Sequence, residues 1–457
     1  MDDAAPNPNC PGCQALSKRV ARLEREIEEL KALVRRNSRN SNRPPSSDPP
    51  WLKPPSGTGP STRSRGGQPG HEKSEREVLP PDAVECCKPP ACAGCGAALS
   101  GKDHAPSRHQ VTEIPAARAS VVEYELHTLK CRACGHKTRA NLPEGVPRGS
   151  FGPRLQSMVV LLSGVYRVSR RNVQQLLADA FGVEMSLGAI SNIEGVAAEM
   201  LEAPHQETLQ AIRRAGVVYS DETGWREANE SAWLWTANAE GLSAFVIRPS
   251  RGSDVAKELL GEDFDGAHVS DRYSGYDWIN IEQRQVCWAH LIRDFRKIAE
   301  SGGTAVSIGD GLGQQAKKLF LLWHRVRDGT LMHPTFVRRA GRIRAQMQDL
   351  LELGARCDSL RAASLCRGIQ RLESAMWTFV THDGVEPTNN TAERALRSGV
   401  IWRKTSFGTQ SPRGSRFVER ILTCVATLRQ RGRNVLDYLT SANDADVRGA
   451  PIPSFLR

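Results

Sequence analysis

The chain lacks any apolar run long enough to cross a membrane; the longest, Leu155 to Tyr166, is about a dozen residues and predicts a buried helix instead. Its start, Met1-Asp2-Asp3, lacks the basic and apolar regions of a secretory signal, so a cytoplasmic, bacterial, nucleoid-associated protein is expected. No Walker-type phosphate loop occurs in the second half of the chain, which argues against ATP-driven chemistry there. Acids are in deficit: 62 Lys and Arg against 51 Asp and Glu leave a net charge of +11. That excess favours polyanionic partners, nucleic acid above all. At 457 residues and 39% hydrophobic content the chain is too long for one core and too apolar for general disorder, and length alone suggests roughly three domains.

Cysteine is plentiful but unevenly spread. Six of the 12 form Cys-x-x-Cys pairs: Cys10/Cys13, Cys92/Cys95 and Cys131/Cys134. In a reducing compartment such pairs are metal ligands before they are disulfides. Cys92, Cys95, Cys131 and Cys134 satisfy a tetrahedral zinc with no open position, a structural rather than catalytic arrangement, so residues 82–147 read as a zinc-binding, zinc-ribbon-like module. Cys86, Cys87, His104, His109, His127 and His136 stay open as alternative ligands. The scattered Cys287, Cys357, Cys366 and Cys424 read as small buried residues, and no zinc is assigned to Cys287 with His290.

Ahead of that module, Leu16, Val20, Leu23, Ile27, Leu30 and Val34 recur at heptad spacing. β-Branched residues alternating with Leu predict a two-stranded parallel coiled coil over 1–36, with a single amphipathic helix as the alternative. Residues 37–81, rich in Pro, Ser, Gly and Arg, read as a disordered linker. Over 148–210 the pattern is helical. Ser169 is an N-cap, Val173, Leu176, Leu177 and Phe181 make an apolar face, Gly182 is a stop, and Ser186 opens the next helix. The pair fits a helix-turn-helix-like DNA-binding region with Arg170 and Arg171 placed for phosphates, or an αα-hairpin that is only scaffold.

From Ala215 the period becomes strand-like. "AGVVYSDETGW" presents Asp221, "SAWLWTANAEGLSAFVIRPS" reads as a hairpin turning at 239–241, a helix follows near Asp254, and "GAHVSD" ends at Asp271. A helical crossover places the fourth strand parallel to and beside the first, making Asp221 and Asp271 neighbours. Paired carboxylates persist ionised only beside cations, and all-oxygen ligands select Mg²⁺ or Mn²⁺. Glu393, opening a helix with Arg394, Arg397, Arg403 and Lys404 after it, is a candidate third ligand beside DNA phosphates. The plain alternatives are a turn at Asp221, a strand-end Asp271 with Asp277 competing for its role, and a capping box from Asn390 to Glu393.

"YSDETGWR", "VSDRYSGYDWI" with "CWAHLIRDFRKI", and "NNTAERALRSGVIWRKTSFGT" with "GSRFVERILTCVATLRQRGRNVLDYL" resemble the transposases of the insertion sequence sixty-six family. "NSRNSNRPPSSDPP", "GGQPGHE" and the cysteine knuckles resemble that family's leader and zinc region, so the likeness spans nearly the whole chain. The resemblance implies a multidomain chain whose catalytic domain is of the Asp-Asp-Glu type on an α/β ribonuclease-H-like fold, with Asp221, Asp271 and Glu393 as metal ligands. It implies a helical insertion at 301–386 between catalytic parts 211–300 and 387–457. Its expected partners are the element's terminal inverted repeats, target DNA, a second copy or higher oligomer, and companion proteins of the element. Arg272 departs from the family's usual Asp-Gly-Tyr, placing a bulky charge beside the ligand. A nuclease on the same fold that does not join strands, and a DNA-binding repressor with an inactive acid triad, are the alternatives.

Overall fold

The computed structural model describes residues 11–34 and 77–456. Cys10 and most of the expected linker lie outside the described residues. The chain folds as two units, residues 49–120 and the remainder.

The smaller unit holds little regular structure. A bridge between Ala91 and Ala98 closes the turn bearing Cys92 and Cys95, where Gly96 N–H donates to Cys92 O and Cys92 N–H to Ala97 O. Leu79 and Gln110 exchange two hydrogen bonds, 3.1 and 2.6 Å.

The larger unit begins with α1 (Pro11–Val34), on which Val20, Leu23 and Ile27 of the heptad seam are exposed. Next, β1 (Thr128–Lys130) and β2 (Lys137–Arg139) form a hairpin around Cys131 and Cys134, and Gly135 N–H donates to Cys131 O as Gly96 does to Cys92. Helices α2 (Pro153–Val160), continuing as a π-turn to Val165, α3 (Arg170–Phe181), α4 (Leu187–Met200) and α5 (Glu202–Arg213) follow. The Ser169 hydroxyl accepts from Asn172 N–H, and that of Ser186 from Ala189 N–H; Gly182 ends α3 at φ 68°, the left-handed cap glycine favours.

Then come β3 (Val217–Glu227), β4 (Glu230–Ala239), β5 (Leu242–Arg248), α6 (Ser253–Leu260), β6 (Ala267–Ser270) and β7 (Arg284–Val286). They form one mixed sheet in the order β5-β4-β3-β6-β7, antiparallel through β5, β4 and β3 and parallel through β3, β6 and β7. A mixed sheet of this order, crossed by helices, is compatible with a ribonuclease-H-like domain. Ala228 and Asn229, at φ 49° and 68°, make the two-residue turn between β3 and β4; such a turn matches strand twist.

Helix α7 (Trp288–Ala299) leaves β7. An all-helical stretch follows: α8 (Ala305–Arg327), α9 (His333–Ala355), α10 (Leu360–Gln370) and the short α11 (Thr378–Thr381). α12 (Asn390–Ser406), α13 (Pro412–Gln430) and α14 (Val435–Val447) complete the chain. One core packs α2–α4, α12, α13 and α14 on a sheet face through Trp225, Leu234, Phe245 and Ile247. A second joins α5 and α6 to the sheet through Val218, Trp235 and Val246. A third joins β6, β7 and α7 to α8–α10.

α13 also closes the sheet's outer edge. Glu419, Thr423 and Thr427, four residues apart, accept from the N–H groups of Ile247, Phe245 and Ser243, two residues apart. Four helical residues rise about 6.0 Å and two strand residues about 6.6 Å, so helix side chains match the edge strand step for step.

Candidate active site

The parallel register of β3 and β6 runs Val217 to Ala267, Val218 to His268 and Tyr219 to Val269. Carried two residues further, it sets Asp221 level with Asp271, one residue beyond the end of β6. Asp221 Oδ1 accepts from the N–H of Glu222 and Asp271 Oδ1 from that of Tyr273, 2.9 and 2.8 Å, which fixes each carboxylate against its own main chain. Glu393 stands in the first turn of α12, its Oε1 buried with no hydrogen-bond partner.

A hydrogen-bonded seam ties the three carriers together. Cys287 N–H donates to the carbonyl of Ser270, the residue before Asp271, at 2.8 Å. Asn389, buried at the start of α12, donates its N–H to Cys287 Sγ and its Nδ2 to the carbonyl of Ser220, the residue before Asp221, at 3.2 and 2.8 Å. The capping box from Asn390 to Glu393, the plain alternative, is not formed. Asn389 is the N-cap residue but makes no side-chain cap bond: its Nδ2 goes to β3, and its Oδ1 is buried without a partner.

Burial first, then the negative charges of Glu222, Asp271 and Glu393, push the Asp221 carboxyl well above its usual range. Glu393 is raised by burial and by Asp271, and drawn down by Arg293 and Arg397. Negative charges that raise a neighbouring carboxyl's proton affinity suit a cation among them. The donors are oxygens, one of them a buried orphan, which is the donor chemistry a hard divalent ion takes. Among the described residues, the group of metal-ligating side chains whose donor atoms lie within 4.8 Å of one another is Cys287, His290 and Glu393. The thiol is fully buried, accepts from Asn389 and is pushed up by burial, so it acts as a packed acceptor rather than a ready thiolate.

A family model described as Transposase IS66 family matches residues 148–416, more than half of the chain, and another, described as a family of unknown function, matches 12–77. The chain belongs to the IS66 transposase family. Among curated relatives it is similar to two uncharacterized proteins of Sinorhizobium fredii (strain NBRC 101917 / NGR234). Protein y4qI is 25% identical over 59% of this chain and 55% of its own length, and y4hP is 24% identical over 78% and 69%. The chain thus spans about half the length of the first and about two thirds of the second.

In this family member the predicted basic residues divide. Arg171, Arg394, Arg397 and Lys404 are exposed. Arg170, though also exposed, pairs with the buried Glu194 at 2.5 Å, and Arg403 is held by Thr223 Oγ1 at 3.1 Å and by the Gly224 carbonyl. Asp277 pairs with the buried Arg284, away from the triad's hydrogen bonds. Arg272 turns from Asp271 to Asp294.

Sequence reasoning missed Arg293, whose charge acts on Glu393, and Glu222, which is 2% exposed and takes hydrogen bonds from Arg251 and the Tyr276 hydroxyl. Strand alternation was the available signal for Glu222: next to Asp221, it must face the opposite side. Cys92 and Cys131, each in its own unit, are both drawn down by backbone N–H groups of their own turns, those of Gly94 and Cys95 and of Cys134 and Ala133, which favours thiolate. Among the described residues no helix is long and apolar enough to cross a membrane.

Proposed function

We propose that this IS66-family protein is a DNA transposase of the Asp-Asp-Glu type, cutting the phosphodiester at an element end and joining the freed 3′-hydroxyl to target DNA. The observation that carries the reading is the seam through Ser220, Cys287, Ser270 and Asn389, which draws the carriers of three buried or half-buried carboxylates together in a chain of that family. When bound there, Mg²⁺ or Mn²⁺ supplies charge neutralisation and activation of the attacking oxygen. Asp221 and Asp271 hold fixed positions from the sheet, and Glu393 closes the set from α12. Arg293 and Arg397 set positive charge beside Glu393, where a phosphate approaches. Cutting uses water as nucleophile and joining uses the 3′-hydroxyl; each breaks one P–O bond as another forms, so no covalent enzyme intermediate is needed.

The thiolate pairs Cys92/Cys95 and Cys131/Cys134 are assigned to structural Zn²⁺ binding, and the exposed seam of α1 to a second copy of the chain. Arg171, Arg394, Arg397 and Lys404 are assigned to DNA phosphates. The test is incubation of the full chain with Mn²⁺ and duplex DNA carrying the inverted repeats that flank its coding region. Nicked ends and joined products are expected, with Asp271→Asn at least about a hundredfold slower. Cleavage without joined product makes it a nuclease; Asp271→Asn cutting as fast as wild type removes the catalytic assignment.

A further inference from the structure

Helix α7 turns two side chains, one helical turn apart, toward the second and third carboxylates. His290 Nδ1 faces Glu393 Oε1 across 3.8 Å, and both atoms are buried without a hydrogen-bond partner. Asp294, 6% exposed, takes Arg272 Nε and Nη2 at 3.0 and 2.5 Å and Lys297 at 3.0 Å. Arg272 directly follows Asp271, so this grip fixes the main chain bearing that carboxylate. Positions four apart share a helix face, and the sequence places both braces on the helix that leaves β7.

Two buried polar atoms facing each other just beyond hydrogen-bond range need an explanation, because natural interiors rarely leave such groups unmatched. A neutral imidazole donates from one nitrogen only. Donation from Nδ1 to Oε1, after an approach of about half an ångström, leaves the other oxygen of Glu393 for a cation. The Arg272 guanidinium answers the oddity of a bulky cation after Asp271: its charge is matched by Asp294, and the carboxylate keeps its bond to Tyr273 N–H.

We propose that α7 is the positioning helix of the site, with His290 setting the side chain of Glu393 and Asp294, through Arg272, setting the main chain of Asp271. The inference rests on the three-carboxylate reading above, and its readout is ion binding rather than turnover. Full-length protein is titrated with Mn²⁺, the free ion being followed by its electron paramagnetic resonance signal. His290→Ala is expected to weaken the carboxylate-dependent binding by about ten- to hundredfold, the usual effect of removing a partner behind a metal ligand. His290→Asn, whose amide nitrogen takes the place of Nδ1, recovers most of it, and Arg272→Ala weakens it severalfold. Thermal melting of each variant shows whether it is folded; should His290→Ala unfold, a folded Arg272→Ala still decides the clamp. If His290→Ala and Arg272→Ala bind Mn²⁺ like wild type while Asp221→Asn does not, the positioning role is wrong and the carboxylate site stands. If Asp221→Asn also binds like wild type, the carboxylate reading falls and the positioning role with it.

Discussion

His268 lies in the middle of β6, fully buried, with neither ring nitrogen partnered and the rings of Tyr276 and Phe264 at 4.6 and 6.5 Å. Burial, helped by Arg284, lowers its pKa from 6.5 to about 3. His205, bonded to the Phe245 carbonyl, is lowered to about 4, again chiefly by burial. The unfolded chain takes up protons below pH 6.5 while the folded one does not until pH 3 to 4. The contribution is therefore complete above pH 6.5 and is lost as pH falls, at about 1.4 kcal/mol per pH unit for each ring. Urea unfolding at pH 7 and pH 5 should show His268→Phe gaining about 2 kcal/mol on wild type over that interval. Parallel profiles would mean the ring is protonated in place or exposed. His268 also marks a limit of sequence reasoning, since its place in a short buried strand is legible but its lack of partners is not. Asn389 is similar: Asn beside a helix start reads as a cap, and only the approach of β3, 169 residues away in sequence, shows where its amide goes.

At the scale of elements, α13 and β5 form the contact with the clearest energetic consequence. Thr423 Oγ1, fully buried, accepts from Phe245 N–H at 3.0 Å. Thr423→Val keeps the shape but removes the acceptor, leaving a buried donor unmatched at a cost of about 1–3 kcal/mol. Chemical denaturation at neutral pH measures it; an unchanged midpoint would show that water or a shifted strand takes over. The strands themselves were legible as short apolar runs bounded by turn residues, and β5, β6 and β7 are buried along nearly their whole length; the adjacency of Asp221 and Asp271 followed from one helical crossover between two strands. α3 and α4 were legible from Ser169, Gly182 and Ser186, which act locally. The directions of Arg170, Arg272 and Arg403 were not. Each is set by an acid or carbonyl at least 22 residues away, and the charge of a side chain does not say which of two surfaces it will face.

For the whole molecule, a net charge of +11 matters through the cations that remain exposed. Replacing Arg397 or Lys404 by Ala should lower the dependence of DNA affinity on salt by about one unit of log–log slope, the signature of one lost phosphate contact. Arg170→Ala and Arg403→Ala should change that slope less and lower stability instead, because Arg170 is paired with the buried Glu194 and the Arg403 guanidinium is held by Thr223 and Gly224. Fluorescence anisotropy of a labelled duplex over a salt series separates the two groups, and equal slopes for all four variants would refute the division. The protection of β5 also has a history in time. Ile247 and its acceptor Glu419 are 172 residues apart, so at roughly 5–20 residues per second a ribosome delivers the cover about ten to thirty-five seconds after the strand. Through that interval the nascent chain exposes the outer edge of a strand rich in Leu, Phe, Val and Ile, paired on its other side with β4, and the newborn protein's need for chaperone shelter follows from where α13 falls in the gene.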